Sequence, residues 1–397
     1  MFKVLYLLVL VALAFATIVE NAKGTPFVHQ YVYGSWWFFA LWVIAILSSI
    51  HFFVKNKEKR LHVVMLHLSF AIILVGAGVT FIYGESGEIT LHEGEPTAIM
   101  HAVRDGKNMQ KTIPIALEMT DFKVHHHSGT KTVSGYTTKF NAYKAEKSAD
   151  KMQLSDKIEG EVTLNHIFQR DGYRFYQKSY NPSLSTSTLG INHDPYGIAI
   201  TYIGYAMLFA SLLYLLWSKR GKHEIKRENL LYILICVLYL FFVALYLNIL
   251  SHKSKELMPV LATNWLLVHV PFVMFAYTLL AITFILSFIG LCSHTIGNSL
   301  VKYCRFLLYP ATAALCVGIF TGAIWANVSW GNYWTWDAKE TWALITLMIY
   351  AIPLHRRSVP AFKRQNTLLI YLVFAFLSIL MTYLGVNYLL GGMHSYA

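Results

Sequence analysis

Long apolar runs alternate with short polar loops along most of this chain, and one long polar stretch breaks the rhythm. The apolar runs occupy 2–19, 35–54, 61–83, 196–217, 229–250, 265–290, 306–326, 338–355 and 367–387. Each holds about 20 residues, enough to cross a hydrocarbon core as a helix. In lipid such segments must be helical, because no water is present to satisfy open backbone groups. The pattern predicts an all-α polytopic membrane protein with about nine transmembrane helices. The exception, 84–195, is polar and alternates with period two in GEITLHEGE, EVTLNHIF and YRFYQKSY. That period belongs to strands, so a small extracytoplasmic β-rich domain is expected between the third and fourth helices. The chain then divides into helices 1–3 (1–83), the β domain (84–195), helices 4–5 (196–255) and a last membrane domain (256–397).

Composition agrees with this class. The chain is 56% hydrophobic and 14% charged, against about 25% charged in soluble domains. The first run ends in Ala14-Phe15-Ala16, which also fits a leader-peptidase site; its length favours a retained helix. The net charge of +12 is concentrated in alternate loops: 55–60, 218–228, 291–305 and 356–366. The other short loops hold only Lys23, Lys253, Lys255 and Lys339. By the positive-inside rule the N terminus is cytoplasmic and the C terminus outside. Basic residues divided among loops suit anionic headgroups and form no nucleic-acid face. The four cysteines, Cys236, Cys292, Cys304 and Cys316, all fall in helices or cytoplasmic loops. No external disulfide and no CxxC dithiol chemistry is expected, so thiols for any external reaction must come from a substrate.

Three features then share the outer surface. His269 opens the sixth helix, His394 follows the ninth, and SWGNYWTWDAKETW (329–342) joins helices seven and eight. Tryptophans anchor proteins at membrane interfaces, but four in one loop with Gly331 among them exceed that need. Two imidazoles and a wall of Trp330, Trp334 and Trp336 suit a flat iron porphyrin with two axial ligands. Asp337 also reads as the N-cap of the eighth helix, with Glu340 closing a capping-box-like pair. His125-His126-His127 in the polar stretch reads as solvated more readily than as a metal site.

These motifs carry a family resemblance. WGNYWTWD fits the WGxxWxWD signature of the haem-handling WWD membrane proteins of cytochrome c maturation, with its loop at 329–341. NWLLVHV and GGMHSYA resemble that family's two flanking histidine segments. ENAKGTPFVHQYVYGSWWF and HLSFAIILVGAGVTFIYGESGEITLHEGE resemble the partner protein of the System II pathway. The chain therefore resembles a compact fused CcsB–CcsA (ResB–ResC) cytochrome c synthase. The likeness covers about 1–95 and 260–397 and is less specific between.

The resemblance implies a CcsB-like region at 1–83 and a CcsA-like haem-binding domain at 256–397. It implies a second, inner histidine pair, His67 in MLHLSF and His355 in IPLHRR, with His51 and His62 as nearby rivals. Intramembrane ionisable residues are functional candidates in any case. It further implies a bacterial cytoplasmic-membrane enzyme of the holocytochrome c synthase (haem lyase) type. Haem b would enter at His67 and His355 and pass to His269 and His394. There Trp330, Gly331, Trp334, Trp336 and Asp337 would present it to the CxxCH motif of apocytochrome c. An external thiol-reducing protein is a further expected partner. Two rival readings are a haem exporter or delivery subunit serving a separate ligase, and an electron-transfer cytochrome with two stacked haems.

Overall fold

The computed structural model describes residues 2–56, 60–104, 107–126, 133–148, 151–181, 185–218, 263–293, 296–355 and 358–390, with positions 237, 239–241, 243–245 and 247. Seven helical stretches among these are long and apolar enough to cross a membrane, and the protein is a multi-pass membrane protein with an inserted β domain. The helices are α1 (Phe2–Lys23), α2 (Thr25–Val28), α3 (Trp36–Asn56), α4 (Leu61–Tyr83), α5 (Gly197–Ser218), α6 (Leu266–Cys292), α7 (Gly297–Trp330), α8 (Ala338–Ala351) and α9 (Gln365–Leu380). The described positions of the predicted run 229–250 are helical; the rest of that run lies outside the described residues.

Two boundaries differ from the hydrophobic pattern. The run 338–355 is a 14-residue α-helix finished by one tighter 3-10 turn, Ile352–His355. Pro353 withholds a backbone N–H there, which disfavours another α turn. The run 306–326 lies within a helix of 34 residues. At the helical rise α7 is about 50 Å long, well beyond a bilayer core. Its final turn reaches the β domain, where Arg174 Nη1 donates to Asn327 Oδ1 at 2.5 Å.

The polar stretch forms one eight-stranded antiparallel sheet in the order β5-β4-β3-β2-β1-β8-β7-β6. Its strands are β1 (Glu85–His92), β2 (Thr97–Arg104), β3 (Lys107–His126), β4 (Val133–Ser148), β5 (Lys151–Thr163), β6 (Phe168–Arg170), β7 (Tyr173–Asn181) and β8 (Thr186–His193). Inward residues from both ends of the sheet, Val162 on β5 and Phe175 on β7, share one core with Ile89, Leu117, Phe140 and Ile191. The sheet is therefore curled and barrel-like. Buried Arg170 pins the curl by donating to Ala142 O at 2.7 Å and to Asp156 Oδ2 at 2.7 Å.

The domain is set firmly on the bundle. Its first and last strands pair with each other, Glu85 to His193 through His92 to Thr186. The helices that enter and leave it, α4 and α5, pack at close range through small residues. A Cβ on Gly76 would meet Thr201 N at 2.7 Å, and one on Gly204 would meet Ile73 N at 2.9 Å. Small residues let helices approach in lipid, where apolar contact alone drives little association. Asp194 locks the joint. Its Oδ1 accepts from Gly197 N at 2.7 Å, and its Oδ2 accepts from Thr80 Oγ1 at 2.6 Å.

Candidate functional site

Two histidines meet at the end of the bundle opposite the β domain. His67 lies in the second turn of α4 and His355 in the 3-10 turn after α8, and their Nε2 atoms are 3.5 Å apart. The rings stand nearly perpendicular, at 87°. His67 Nδ1 contacts Val63 O at 2.8 Å and His355 Nδ1 contacts Ala351 O at 2.8 Å. A carbonyl only accepts, so a proton on each Nδ1 satisfies these contacts and turns each Nε2 toward the other ring, as the atom able to ligate a metal. Metal–imidazole bonds are about 2.0 Å, so two imidazoles on one metal stand with their nitrogens roughly 4 Å apart. The backbone acceptors behind both rings are the kind of partner that orients ligating histidines. Of the rivals, His62 faces Tyr214, with ring centroids 6.1 Å apart, and His51 is exposed.

The tryptophan loop lies at the other end. α7 stops because Gly331 adopts a left-handed conformation, φ +74°, which glycine accepts without a Cβ clash. A Cβ there would also meet Tyr176 Cδ1 of β7 at 3.2 Å. α8 begins at Asp337, whose Oδ1 accepts from Lys339 N at 2.9 Å, the expected N-cap. Glu340 departs from the expected capping box. Its Oε2 accepts from Thr335 N at 2.9 Å and Thr335 Oγ1 at 3.2 Å, so it ties the loop rather than the cap residue.

The tryptophans divide into two groups. Trp330 packs on Trp325, centroids 5.3 Å apart, and Trp325 reaches the His269 ring at 6.0 Å. Trp334 meets Trp336 edge to face, and Trp336 gives one face to Tyr33 at 4.9 Å and 9°. That face is therefore taken by protein, and any flat ligand has only the remaining surfaces. His269 is fixed by a contact of its Nδ1 with Gly318 O of α7 at 2.8 Å. The space for its ring exists because position 322 is glycine; a Cβ there would lie 2.7 Å from Cε1 and Nδ1. The indole N–H groups of Trp325 and Trp334 are buried without an acceptor among the described residues. Such orphan donors cost about 1–3 kcal/mol each, and an acceptor on a bound ligand would relieve them. His394 lies outside the described residues, as does His127. His125 is exposed on β3 and bonds across to Thr137 Oγ1 at 2.9 Å.

Sequence reasoning missed the residues that hold this loop. Asn192 of β8 donates through Nδ2 to Gly331 O at 2.6 Å and also reaches Asn332 Oδ1. Thr80 lies 3.0 Å from Tyr333 Oη. From the N-terminal third, Trp42, Phe38 and Tyr33 surround Trp336. Trp342 Nε1 donates to Thr17 Oγ1 of α1 at 3.0 Å, and Tyr6 Oη donates to Met348 O at 2.8 Å. Tyr33 stands within the ENAKGTPFVHQYVYGSWWF stretch, but no one-dimensional pattern names its partner.

The chain matches the Cytochrome C assembly protein family over residues 197–394 and the ResB-like family over 53–195. The two matches together include the middle stretch, where the motifs were less specific, and they leave 1–52 outside. The chain is similar to Cytochrome c biogenesis protein CcsA of Chlamydomonas reinhardtii, 31% identical over 259 residues, covering 54% of this chain and 73% of that one. The CcsA protein of Porphyra purpurea is 31% identical over 252 residues, covering 49% and 79%. Protein NrfI of Wolinella succinogenes is 33% identical over 203 residues, which are 48% of this chain and 22% of NrfI.

Proposed function

The chain belongs to the cytochrome c assembly protein family, in the fused System II form with a ResB-like region ahead, and from that premise we propose that it is a holocytochrome c synthase. In this reading haem b is the substrate and cargo. It enters from the cytoplasmic side of a bacterial cytoplasmic membrane, with the N terminus inside, and is held by His67 and His355. It then passes to the outer face, where His269 and His394 take the iron. Trp330, Trp334 and Trp336 border the ring, with Gly331 and Asp337 fixing the ends of the loop that carries them.

The observation that carries the reading is the inner pair, His67 and His355, whose Nε2 atoms lie 3.5 Å apart. His67 lies within an apolar span, where an ionisable group is costly, and a second histidine set against it points to a shared cation. The orphan indole donors of Trp325, beside His269, and of Trp334, against Trp336, support a polar, acceptor-bearing ligand at the outer end. The reaction adds each substrate thiol of CxxCH across one haem vinyl group. Sulfur bonds to the vinyl carbon next to the ring, and hydrogen ends on the terminal carbon, so no net oxidation occurs. The chain contributes proximity and orientation, which can lower a barrier by several kcal/mol. Reduced iron follows from the family resemblance.

The test is coexpression of the chain with an exported apocytochrome c carrying CxxCH, in cells lacking another maturation system. A haem stain at the apocytochrome's mass on a denaturing gel, lost in His269→Ala, is the expected result. Haem bound by the chain without any stained cytochrome would overturn the synthase reading and leave a haem-delivery subunit.

A further inference from the structure

The backbone of Trp336 is the starting point. Its φ is +57°, in the left-handed region, where a bulky side chain is rarely found. Neighbouring structure must over-determine such a conformation, and residues held this way cluster at functional sites. Contacts from α8 and from the N-terminal segment hold this one. Thr341 Oγ1 donates to Trp336 O at 3.2 Å from within α8. The larger contact comes from a distant part of the chain. Tyr33, 5% exposed, lies flat on the Trp336 indole, centroids 4.9 Å apart at 9°. Phe38 stands edge-on to both rings, at 5.5 Å from Tyr33 and 5.2 Å from Trp336.

Tyr33 is itself placed with care. It ends a five-residue π-helical turn, His29–Tyr33, a form that favours functional sites. Gly34 N closes that turn on His29 O at 2.8 Å. Upstream, Thr25 Oγ1 donates to Glu20 Oε1 at 2.9 Å, which ties the segment to the end of α1. The whole segment precedes the ResB-like region and lies outside both matched regions.

We propose that Tyr33 is a positioning residue for the outer haem site: it holds Trp336 in the left-handed conformation and, through the edge-to-face contact, sets the plane of Trp334. The inference rests on the outer-site reading given above. Without the stack, Trp336 relaxes toward an ordinary backbone region, its ring swings, and the wall it forms with Trp334 is lost. The ring of Tyr33 makes the contact, so phenylalanine should serve where alanine does not.

The test uses the purified full chain titrated with hemin, in two backgrounds. His67→Ala with His355→Ala leaves only the outer site, and His269→Ala leaves the inner one. In the first background Tyr33→Ala is expected to weaken hemin binding tenfold or more and to alter the low-spin absorption band, as a displaced wall would. Tyr33→Phe should stay within about twofold of its parent, because the stacking ring is kept. In the second background Tyr33→Ala should bind as its parent does. Unchanged outer binding in Tyr33→Ala would overturn the inference. So would an equal loss at both sites, which would make Tyr33 a general packing residue. A parent with no outer hemin binding before Tyr33 is touched would overturn the outer-site reading, and this inference with it.

Discussion

At the scale of single residues, the outer site depends on absent atoms as much as on present ones. Gly322→Ala puts a methyl group 2.7 Å from the His269 ring. The imidazole must move, and a shift near 1 Å at a reacting centre can cost about 10²-fold in rate. Haem attachment to apocytochrome should fall by that order while hemin binding at His67 and His355 persists; spectra of the two sites check it. Asp337→Ala removes the cap of α8, a loss of about 1 kcal/mol, and should lower the melting temperature while Asp337→Asn largely restores it. His67 and His355 were named through the family resemblance of MLHLSF and IPLHRR, and nothing in the linear sequence shows that the two rings meet. The capping role of Asp337 was legible, since caps are local. Gly322 was not, because a glycine in a membrane helix looks like any small packing residue until its neighbour is known. The handedness of Trp336 was invisible too, because it is imposed by Tyr33 from three hundred positions away.

At the scale of elements, the β domain is a clamp on the tryptophan loop. Asn192 and Arg174, from adjacent strands, grip the last turn of α7 and the carbonyl of Gly331. Asn192→Ala leaves that carbonyl without its donor, at about 1–3 kcal/mol. Combined with Arg174→Ala it should free the loop, seen as faster amide exchange over 331–337 with β-domain exchange unchanged. Within the sheet, Tyr143 Oη at 2.6 Å and Asn141 Nδ2 at 3.2 Å donate to Glu118 and hold its carboxyl below the usual carboxylate range. A depressed folded-state pKa adds stability at neutral pH that is lost as pH falls through it. Amide exchange of β3 and β4 should therefore quicken on acidification, and less so in Glu118→Gln. The strands were legible from alternation and the inserted position from the length of the polar stretch. The curl and the grip on the loop were not, because both depend on pairing between strands distant in sequence. The length of α7 was hidden as well, since its polar ends, Gly297–Arg305 and Asn327–Trp330, carry no hydrophobic signal.

At the scale of the whole molecule, the two candidate sites lie at opposite ends of one bundle, and parts of the chain distant in sequence build each end. α4 and the turn after α8 bring His67 to His355. The N-terminal segment, the β domain and α6–α8 enclose the tryptophan loop. Membership of the cytochrome c assembly family follows from the extended likeness, and the proposed function adds a direction to it, from inner pair to outer wall. The measurement that tests this direction most directly is haem content and product together, in three purified chains coexpressed with the apocytochrome. His269→Ala should retain haem with a bis-histidine spectrum from the inner pair and yield no stained cytochrome. The double variant His67→Ala, His355→Ala should carry little haem and also yield none, while the parent yields both. Full cytochrome production by the double variant would contradict the account, because haem would then reach the outer site without the inner one.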